Sequence, residues 1–530
     1  MPKKLVVFIS PPTSALLEAS QSNPLLKLED ASPSDIPALG ILTLASAVKQ
    51  QVENVQPIYL DGSVCPFSVM LDFISSHKND IIAICLSALR STYIAGLKIL
   101  EHARKENPRI VHIIGNDHFT ALSTLCMQNQ PDLIDCGIMG NEVIGGLCQI
   151  ISQIEREGGW NPVAVPGLVF RDSDKVIHIP QKPEPIFSTI DYSLINQTFD
   201  HSARYAQAYQ KDFQDSVQKW FGSSAHSLTS VELARGCIKF KNNDTCSFCA
   251  IQYGGMWKNE VRNGAEAWSI LHRAYQAGYD SLDITAEELP LTFPQLLLDM
   301  KSSIPRWFAN LPQQERPILH GAARADGLAI EKNARLLYDL GFRFIFVGVE
   351  AGPIKSLAAL NKPLAGDSAV RLSRLYEASR QALKHAHNIG FKVEIGYVLG
   401  HIGMTRELLL ENIELFRSLV MEHHDSIAYV AMGLLIPEPG SKDYAYLIDP
   451  DLAEKRAATL GLTIAPRKIR QEIADELKTK DEMWLDAQVT DYVRAFMPEL
   501  TVSDLIEARK QLEGICRANR VMGSYYLGED

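Results

Sequence analysis

The sequence has little cysteine, no long apolar run and no excess of positive charge. Nine cysteines in 530 residues are too few for a disulfide-stapled scaffold. No apolar stretch reaches the ~18 residues that cross a membrane, and the first apolar run stops at Pro11 and Pro12, too early for a secretory signal. The formal net charge of −11 argues against a broad nucleic-acid-binding surface. We therefore expect a cytoplasmic protein without a membrane span or a nucleic-acid partner.

The first 160 residues alternate between strand-like and helix-like runs. Short runs rich in Ile, Val and Leu are typical of parallel strands that are covered on both faces. Five such units in succession predict a doubly wound, Rossmann-like α/β domain over residues 1–160. No G-x-G-x-x-G follows the first strand, which disfavours a dinucleotide site. The strand-like runs lie at 5–10, 55–62, 81–88, 110–115 and 133–140.

A second α/β series follows a connector. In the connector, residues 161–226, the stretch 165–180 has a pattern typical of a small β-hairpin. The stretch 201–225 is polar and helix-like. Six further strand-like runs, separated by helix-like runs, predict a partial (β/α)6 barrel over residues 227–445. Residues 446–530 are charged and helix-like, with a T-x-x-D capping signature at Thr501. We expect a small α-helical domain there.

Three cysteines stand directly after the first strand of the second series, in RGCIKFKNNDTCSFCAIQY. Cys237, Cys246 and Cys249 have the spacing C-x8-C-x2-C. A structural zinc site normally has four ligands, and the nearest histidines, His226 and His272, are at no recognisable zinc spacing. An iron–sulfur cluster accepts cysteine thiolates, and three of them leave one iron free. The residues favour a cluster and leave zinc or unligated thiols as alternatives. The other six cysteines are expected to be small buried apolar residues.

This segment resembles the cluster loop of the radical S-adenosylmethionine (SAM) superfamily, whose usual spacing is C-x3-C-x2-C. Here IKFKNNDT supplies eight residues where three are usual. The resemblance implies a 4Fe–4S cluster on Cys237, Cys246 and Cys249, with SAM at the open iron. It also implies that residues after the next three strands contact SAM. These are Glu288, with Glu287 as second choice, near the amino group; Arg324, in an Arg-Ala-Asp stretch with Asp326, near the carboxylate; and Glu350 near the ribose.

The first domain resembles the cobalamin-binding domain that is fused to many radical SAM enzymes. The segments that carry the resemblance include SPP (10–12), IPALGILTLASAVKQ (36–50), GNDHFTA (115–121) and GNE (140–142), and it extends to LLIPEPGSKDY (434–444). The D-x-H-x-x-G motif that ligates cobalt is missing, because Asp117 and His118 are adjacent. The resemblance therefore implies cobalamin without a histidine ligand. The expected contacts are Ser87, Arg90, Gly115, His118, Thr120, Gly140, Asn141 and Glu142. Arg90 lies near the lower face of the corrin or is an ordinary surface cation.

The resemblance implies a cobalamin-dependent radical SAM methyltransferase. Such an enzyme moves a methyl group from SAM through methylcobalamin to a carbon of a small-molecule or natural-product substrate. It takes electrons from a donor such as flavodoxin or ferredoxin. One alternative is non-radical methylation of an aromatic ring such as the indole of tryptophan. Another is a cobalamin-binding cyclase or oxidase that transfers no methyl group. Tyr253, Tyr397, His401 and Met404 either border the substrate cavity or belong to the core.

Overall fold

The computed structural model describes residues 3–14, 34–162, 165–209, 215–222, 225–242, 244–251, 256–364 and 374–523. Two large sheets organise these residues. Each sheet has seven strands. Among the described residues, no helix combines the length and apolarity needed to cross a membrane.

The first sheet has the order β2-β1-β3-β4-β5-β6-β7. The first five strands pair in parallel, as their apolar runs predict. The strands are β1 Lys4–Ser10, β2 Val55–Asp61, β3 Ile81–Ser87, β4 Val111–Gly115, β5 Cys136–Ile138, β6 Leu168–Asp172 and β7 Lys175–His178. The helices are Leu39–Gln51, Phe67–His77, Arg90–Glu106, Asp117–Asn129 and Ile144–Glu157. The hairpin that was expected in the connector is present as β6 and β7, and it extends this sheet antiparallel from β5.

The second sheet has the order β16-β15-β14-β13-β12-β11-β8, and every pairing in it is parallel. Six of its strands confirm the predicted partial barrel. They are β8 Leu228–Val231, β11 Ser281–Ile284, β12 Ile318–Arg324, β13 Phe342–Glu350, β14 Lys392–Leu399 and β15 Ile427–Leu434. The flanking helices are Gly264–Gln276, Pro294–Ser302, Arg306–Ala309, Ala325–Leu328, Glu331–Asp339, Ile354–Ala359, Leu375–Ile389 and Arg406–His423. The sequence did not predict the seventh strand, β16 at Met522–Gly523, which returns from the C-terminal region to pair with β15.

Two connector helices and part of the N-terminal region pack at the amino-terminal ends of the barrel strands. The helices are His201–Tyr209 and Asp215–Phe221. A small apolar cluster joins them to the first residue of β8, to Ile318 at the start of β12, and to Ile36. The Tyr209 hydroxyl also lies 3.0 Å from the hydroxyl of Ser281 at the start of β11. This end of the barrel is therefore covered by segments from outside it.

The C-terminal helices contact both halves of the molecule. They are Lys442–Ile448, Pro450–Leu460, Arg467–Leu477, Leu485–Phe496 and Val502–Ala518, and the last begins with the capping box that Thr501 and Asp504 predict. Asp481, buried between two of these helices, receives side-chain hydrogen bonds from Tyr93, Asn129 and Gln130 of the first half. On the other side, the Asp443 N–H donates to the Ser247 carbonyl of the barrel loop at 2.9 Å, and the buried Asp443 carboxylate accepts from Tyr492 at 2.5 Å. The C-terminal region thus ties the two halves of the molecule together.

Candidate functional site

The three-cysteine loop lies at the carboxyl end of the first barrel strand, between two short antiparallel strands. These are β9 Ala234–Gly236 and β10 Lys258–Glu260, which the sequence did not predict. Gly236 has φ 135°, and a Cβ there would lie 2.5 Å from the carbonyl oxygen of Trp257. Only glycine fits this close approach. Cys237 follows at once, so the hairpin fixes the point at which the loop leaves the sheet.

Two glutamates after β11 hold the backbone on either side of Cys237. Glu287 accepts a hydrogen bond of 2.6 Å from the Gly236 N–H. The Ile238 N–H donates to the hydroxyl of Thr292 at 2.9 Å, and that hydroxyl donates to Glu288 at 2.6 Å. Burial raises the pKa of Glu288, against the hydrogen bonds from Thr292 and the backbone of Leu291. The predicted SAM-binding glutamates therefore also shape the cysteine loop.

The backbone around Cys246 is held from two sides. One side is the segment 360–361 after β13, and the other is the segment 442–443 at the start of the C-terminal helices. The Thr245 carbonyl accepts from Asn361 at 2.6 Å and Lys442 at 3.0 Å, the Ser247 N–H donates to the Leu360 carbonyl at 2.9 Å, and the Ser247 carbonyl accepts from the Asp443 N–H at 2.9 Å. These bonds fix Cys246 between two distant parts of the chain.

Burial raises the pKa of the Cys237 thiol to about 11 and that of Cys249 to about 12. The charge of Arg324 opposes this effect at Cys237. All three cysteines of the loop are partly exposed, whereas the other six are buried, as expected. In the described part of the chain, no group of three or more His, Cys, Asp or Glu side chains is arranged to hold a single metal ion.

Arg324 is buried beside the cysteines. Its Nε and one Nη each donate to an oxygen of Asp326 at 2.9 Å, and the same Nη donates to the Lys362 carbonyl at 3.1 Å. The bidentate pair fixes the plane of the guanidinium. Arg324 and Asp326, singled out together in the sequence, therefore form one ion pair, and the Arg324 guanidinium opposes the effect of burial on the pKa of Cys237.

Glu350 ends β13 at an irregularity in its pairing with β14. Its φ is 65°, a left-handed conformation that is unusual outside glycine. The carboxylate accepts a hydrogen bond of 2.8 Å from Lys362. Burial lowers the pKa of Lys362, but the carboxylate of Glu350 more than offsets it, so the pKa is raised. Strained backbone of this kind is found at functional sites, and here it directs the carboxylate to the side of the sheet that faces Gly348 and Gly396.

A cavity of about 530 Å³ lies where the carboxyl edge of the first sheet faces the cysteine loop. Four of the residues predicted to bind cobalamin line it: Ser87, Gly115, Gly140 and Asn141. The opposite wall comes from the barrel side. It includes Glu232, Arg235, Ile251, Thr285 and Glu287. The structure therefore joins the predicted first-domain loops and the cysteine loop in one space.

The other four residues that were predicted to contact cobalamin do not line the cavity. Thr120 accepts a hydrogen bond of 2.9 Å from the Gly140 N–H and so supports a lining loop. Glu142 is buried 3.7 Å from the guanidinium of Arg235. Arg90 is buried and pairs with Glu438 at 2.8 Å. The Nε2 atom of His118 lies 2.8 Å from the carbonyl of Asp481, and burial lowers the pKa of His118 to about 4.

Sequence reasoning missed Arg235, Lys239 and Lys362. Arg235 forms a two-point ion pair with Glu232 and donates to the Asn141 carbonyl at 2.7 Å, which links the barrel to the first half. Its position two residues before Cys237 is the only signal that could have drawn attention to it. Lys362 stands in an ordinary NKP stretch. Its role depends on Glu350, twelve residues away, and no local pattern reports that pairing.

Three of the four residues suggested to border the substrate cavity belong to the protein core, and the fourth lies outside the described residues. Tyr397, His401 and Met404 are buried in the core. The Tyr397 hydroxyl donates to the Asn412 carbonyl at 2.8 Å, and Nε2 of His401 lies 2.9 Å from the Ser356 hydroxyl. Core packing therefore explains these three. Tyr253 lies outside the described residues.

No protein-family model matches the sequence, and no curated protein matches it significantly. The fold, however, matches solved structures. TsrM from Kitasatospora setae, a radical SAM methyltransferase with cobalamin and a 4Fe–4S cluster bound, aligns with a TM-score of 0.58 at 14% identity, over 83% of this chain and 74% of that chain. The same enzyme with tryptophan and a SAM analogue aligns with a TM-score of 0.61 at 15% identity, over 84% and 76%.

A third solved structure also aligns with this chain. OxsB, a cobalamin-dependent SAM radical enzyme solved in the apo form, aligns with a TM-score of 0.56 at 14% identity. The alignment covers 88% of this chain and 62% of OxsB. The chain therefore has the fold of the cobalamin-dependent radical SAM enzymes, as the sequence resemblance predicted.

Proposed function

We propose that the protein is a cobalamin-dependent radical SAM methyltransferase acting on a carbon of a small-molecule or natural-product substrate. One observation carries the proposal. The cavity at the carboxyl edge of the first sheet opens toward a loop with three partly exposed cysteines at the carboxyl end of the first barrel strand. Ligands of α/β sheets and of parallel barrels bind at these ends of the strands, so two cofactors would face each other across this junction.

The residues present fit a cluster and SAM. Thiolates are the usual ligands of iron–sulfur clusters, and Cys237, Cys246 and Cys249 are all partly exposed on one loop. Three thiolates occupy three corners of a four-iron cluster and leave the fourth iron open, whereas a structural zinc site normally has four ligands. Glu288, Arg324 and Glu350 stand after successive strands beside this loop. We propose that Cys237, Cys246 and Cys249 hold the cluster and that these three residues contact SAM.

The cavity wall fits cobalamin. Small and polar residues at the strand ends line it together with aliphatic side chains such as Leu86, Ile114 and Val143, and a Cβ built on Gly40 would meet no atom within 4 Å. We propose that Ser87, Gly115, Gly140 and Asn141 contact the cofactor and that Arg90, His118, Thr120 and Glu142 support the same site. In this proposal residues 1–160 bind cobalamin, 161–226 connect, 227–445 bind SAM and 446–530 form a helical closing region.

When bound, the cluster supplies the electron that cleaves SAM, and cobalamin carries the methyl group. The chain's own residues bind and orient these groups and exclude water from the junction. Arg324, held flat by Asp326, can bind a carboxylate through its remaining N–H groups. Cleavage of SAM needs an electron from outside the chain, so we propose an electron donor such as flavodoxin or ferredoxin. We also propose a cytoplasmic location.

Anaerobic reconstitution tests this proposal. Purified protein is loaded with iron, sulfide and cobalamin, and each is quantified. It is then incubated with SAM, a reductant and candidate substrates. About four iron atoms and one cobalamin bound per chain, together with a product heavier by one CH2, would support the proposal. Stoichiometric zinc in place of iron, or no corrin binding, would refute it. Turnover of SAM without the added CH2 would favour a cyclase or oxidase.

Non-radical methylation is kept as a second candidate. The structural neighbour TsrM was solved with tryptophan and a SAM analogue, and the eight-residue spacer between Cys237 and Cys246 departs from the usual loop. Deuterated substrates separate the two routes. Deuterium transfer into 5′-deoxyadenosine would indicate the radical route, and methylation without 5′-deoxyadenosine would indicate the other.

A further inference from the structure

The spacer between Cys237 and Cys246 is anchored at one residue, Asp244. One oxygen of Asp244 lies 2.9 Å from the ammonium of Lys239, within the spacer itself. The other oxygen lies 2.6 Å from Asn361 and 3.0 Å from Lys442. Burial raises the pKa of Asp244, but its bonds to Lys239, Asn361 and Lys442 outweigh this and lower it to about 2. A single carboxylate thus links the spacer to the barrel and to the C-terminal helices.

Asn361 and Lys442 bind the loop a second time. Each also donates to the carbonyl of Thr245, at 2.6 Å and 3.0 Å. Asp244 and Thr245 are the two residues before Cys246. Both partners come from segments far away in the sequence, so the position of Cys246 depends on them and not on the spacer alone.

The anchor also holds a buried cation. The side chain of Lys239 is only 1% exposed, and its ammonium donates to the Pro363 carbonyl at 2.6 Å as well as to Asp244. Lys362 and Arg324 are the other buried cations of this region. Lys239 stands two residues after Cys237, and its ion pair with Asp244 brings its ammonium to a residue two positions before Cys246. Lys241, two residues further along the same spacer, is exposed.

We propose that the long spacer is a clamp in which Asp244 is the positioning residue, and that it places Lys239 beside Cys246 to favour addition of an electron to the cluster. The second half of this inference rests on the proposed function. Reduction adds negative charge to the cluster. Net charge and hydrogen bonding near a cluster set its reduction potential, and a buried cation is weakly screened by solvent. Lys239 therefore lowers the free energy of the reduced state.

The clamp is tested in the protein without added cofactors. Asp244→Asn removes the charge that binds Lys239 and Lys442, and hydrogen–deuterium exchange of peptides covering residues 238–249 is measured. Exchange at least tenfold faster than in the unaltered protein is expected. The matched control is Asp339→Asn, which breaks the exposed ion pair of 2.7 Å with Lys301 and should leave these peptides unchanged. Equal exchange in Asp244→Asn and the control would overturn the clamp.

The charge effect is tested in the reconstituted protein by redox titration followed by electron paramagnetic resonance. Lys239→Met should make the cluster at least tenfold harder to reduce, which is 59 mV for a one-electron couple. Lys239→Arg keeps the charge and should restore the potential. Lys241→Met is the control on the same spacer. Equal potentials in Lys239→Met and Lys241→Met would overturn the charge effect.

The two arms separate failure of this inference from failure of the proposed function. If the unaltered protein takes up no cluster, the proposed function and the charge effect fail, and the exchange experiment still decides the clamp. If Lys239→Met folds poorly, Lys239→Gln and Lys239→Arg provide a second comparison at equal cluster content. A lower potential in Lys239→Gln than in Lys239→Arg supports the inference, and equal potentials overturn it.

Discussion

The hydroxyl of Tyr93 donates a hydrogen bond of 2.7 Å to the carboxylate of Asp481, 388 residues away in the sequence. Asn129 and Gln130 donate to the same carboxylate at 2.8 and 3.1 Å. The backbone carbonyl of Asp481 lies 2.8 Å from Nε2 of His118. One buried residue therefore docks the C-terminal helices onto the two helices that follow β3 and β4.

Loss of this docking is the first expected effect. Hydrogen bonds to a charged group contribute ~1.5–3 kcal/mol each. Asp481→Ala removes three, so it should lower the free energy of local opening of residues 477–493 by about 3 kcal/mol or more. Tyr93→Phe removes one and should cost about half of that or less. Hydrogen exchange measures both, with the exposed Asp475→Ala as control. Equal effects of Asp481→Ala and Asp475→Ala would contradict the docking role.

The second prediction separates the cluster from the corrin. Changing Cys237, Cys246 or Cys249 singly to alanine should reduce bound iron and sulfide to a small fraction of the unaltered level, because in the proposed function each thiolate holds one corner of the cluster. Cobalamin uptake should persist, since none of the three lines the cavity. Iron, sulfide and corrin are quantified after anaerobic reconstitution. Cys516→Ala, in a buried position on the helix Val502–Ala518, should keep full iron. Full iron in all three variants would contradict the assignment.

A bulky side chain in the cavity is the third test. Gly40 lines the cavity, and a Cβ there meets no atom within 4 Å. Gly40→Phe should therefore add a ring at the cavity wall from a Cβ position that is free of clashes, and cobalamin affinity should fall at least tenfold. Gly514→Phe is a matched control, because Gly514 is also helical and its Cβ position is equally open. Spectrophotometric titration with cobalamin gives both affinities, and circular dichroism checks folding. Unchanged affinity in Gly40→Phe would place the corrin elsewhere.

The fourth prediction concerns pH. Burial, followed by the charges of Asp283 and Asp35, raises the pKa of Glu394 on β14 from its usual 4.5 to about 7. The folded chain therefore keeps a proton that the unfolded chain loses, so Glu394 makes stability fall as the pH rises from about 4.5 to about 7. One pKa unit is about 1.4 kcal/mol, so the shift corresponds to a decrease on the order of 3 to 4 kcal/mol.

Glu394→Gln should remove this decrease. Relative to the unaltered protein, the variant should gain stability between pH 5 and pH 8, with no further gain above pH 8. Urea unfolding at several pH values measures the difference. Glu411→Gln, at an exposed position on the helix Arg406–His423, should show no such trend. A loss of stability with rising pH in Glu394→Gln equal to that of the unaltered protein would contradict the assignment.

The main strands could be predicted because each one corresponds to an apolar run in the local sequence. LVVFIS in β1 and FIFVGVE in β13 are continuous apolar runs, as expected for strands covered on both faces. The cysteine spacing likewise lies within thirteen residues. Position in the fold then followed from the order of the strands, since functional loops of parallel sheets gather at their carboxyl ends.

The remainder depends on pairings between distant residues. β9 and β10 have three residues each and a polar composition, ARG and KNE, so nothing local distinguishes them from loops. Asp244 binds Lys442, which lies far away in the sequence. Arg90 likewise forms an ion pair with the distant Glu438. His118 follows a cavity-lining loop in sequence, yet its ring turns toward Asp481. These contacts depend on how separate helices, strands and loops pack together, and the spacing of residues in the sequence does not predict that packing.

The apolar cluster of Ile36, Tyr209, Val217, Phe221, Ala225, Leu228 and Ile318 limits how the protein can be taken apart. It draws on the N-terminal region, the connector helices and the barrel together. A chain that began at residue 227 would expose Leu228 and Ile318 to water and lose the hydroxyl contact between Tyr209 and Ser281. The barrel is therefore not an independent unit, and chimaeras with enzymes of the same fold should exchange residues 34–222 along with it.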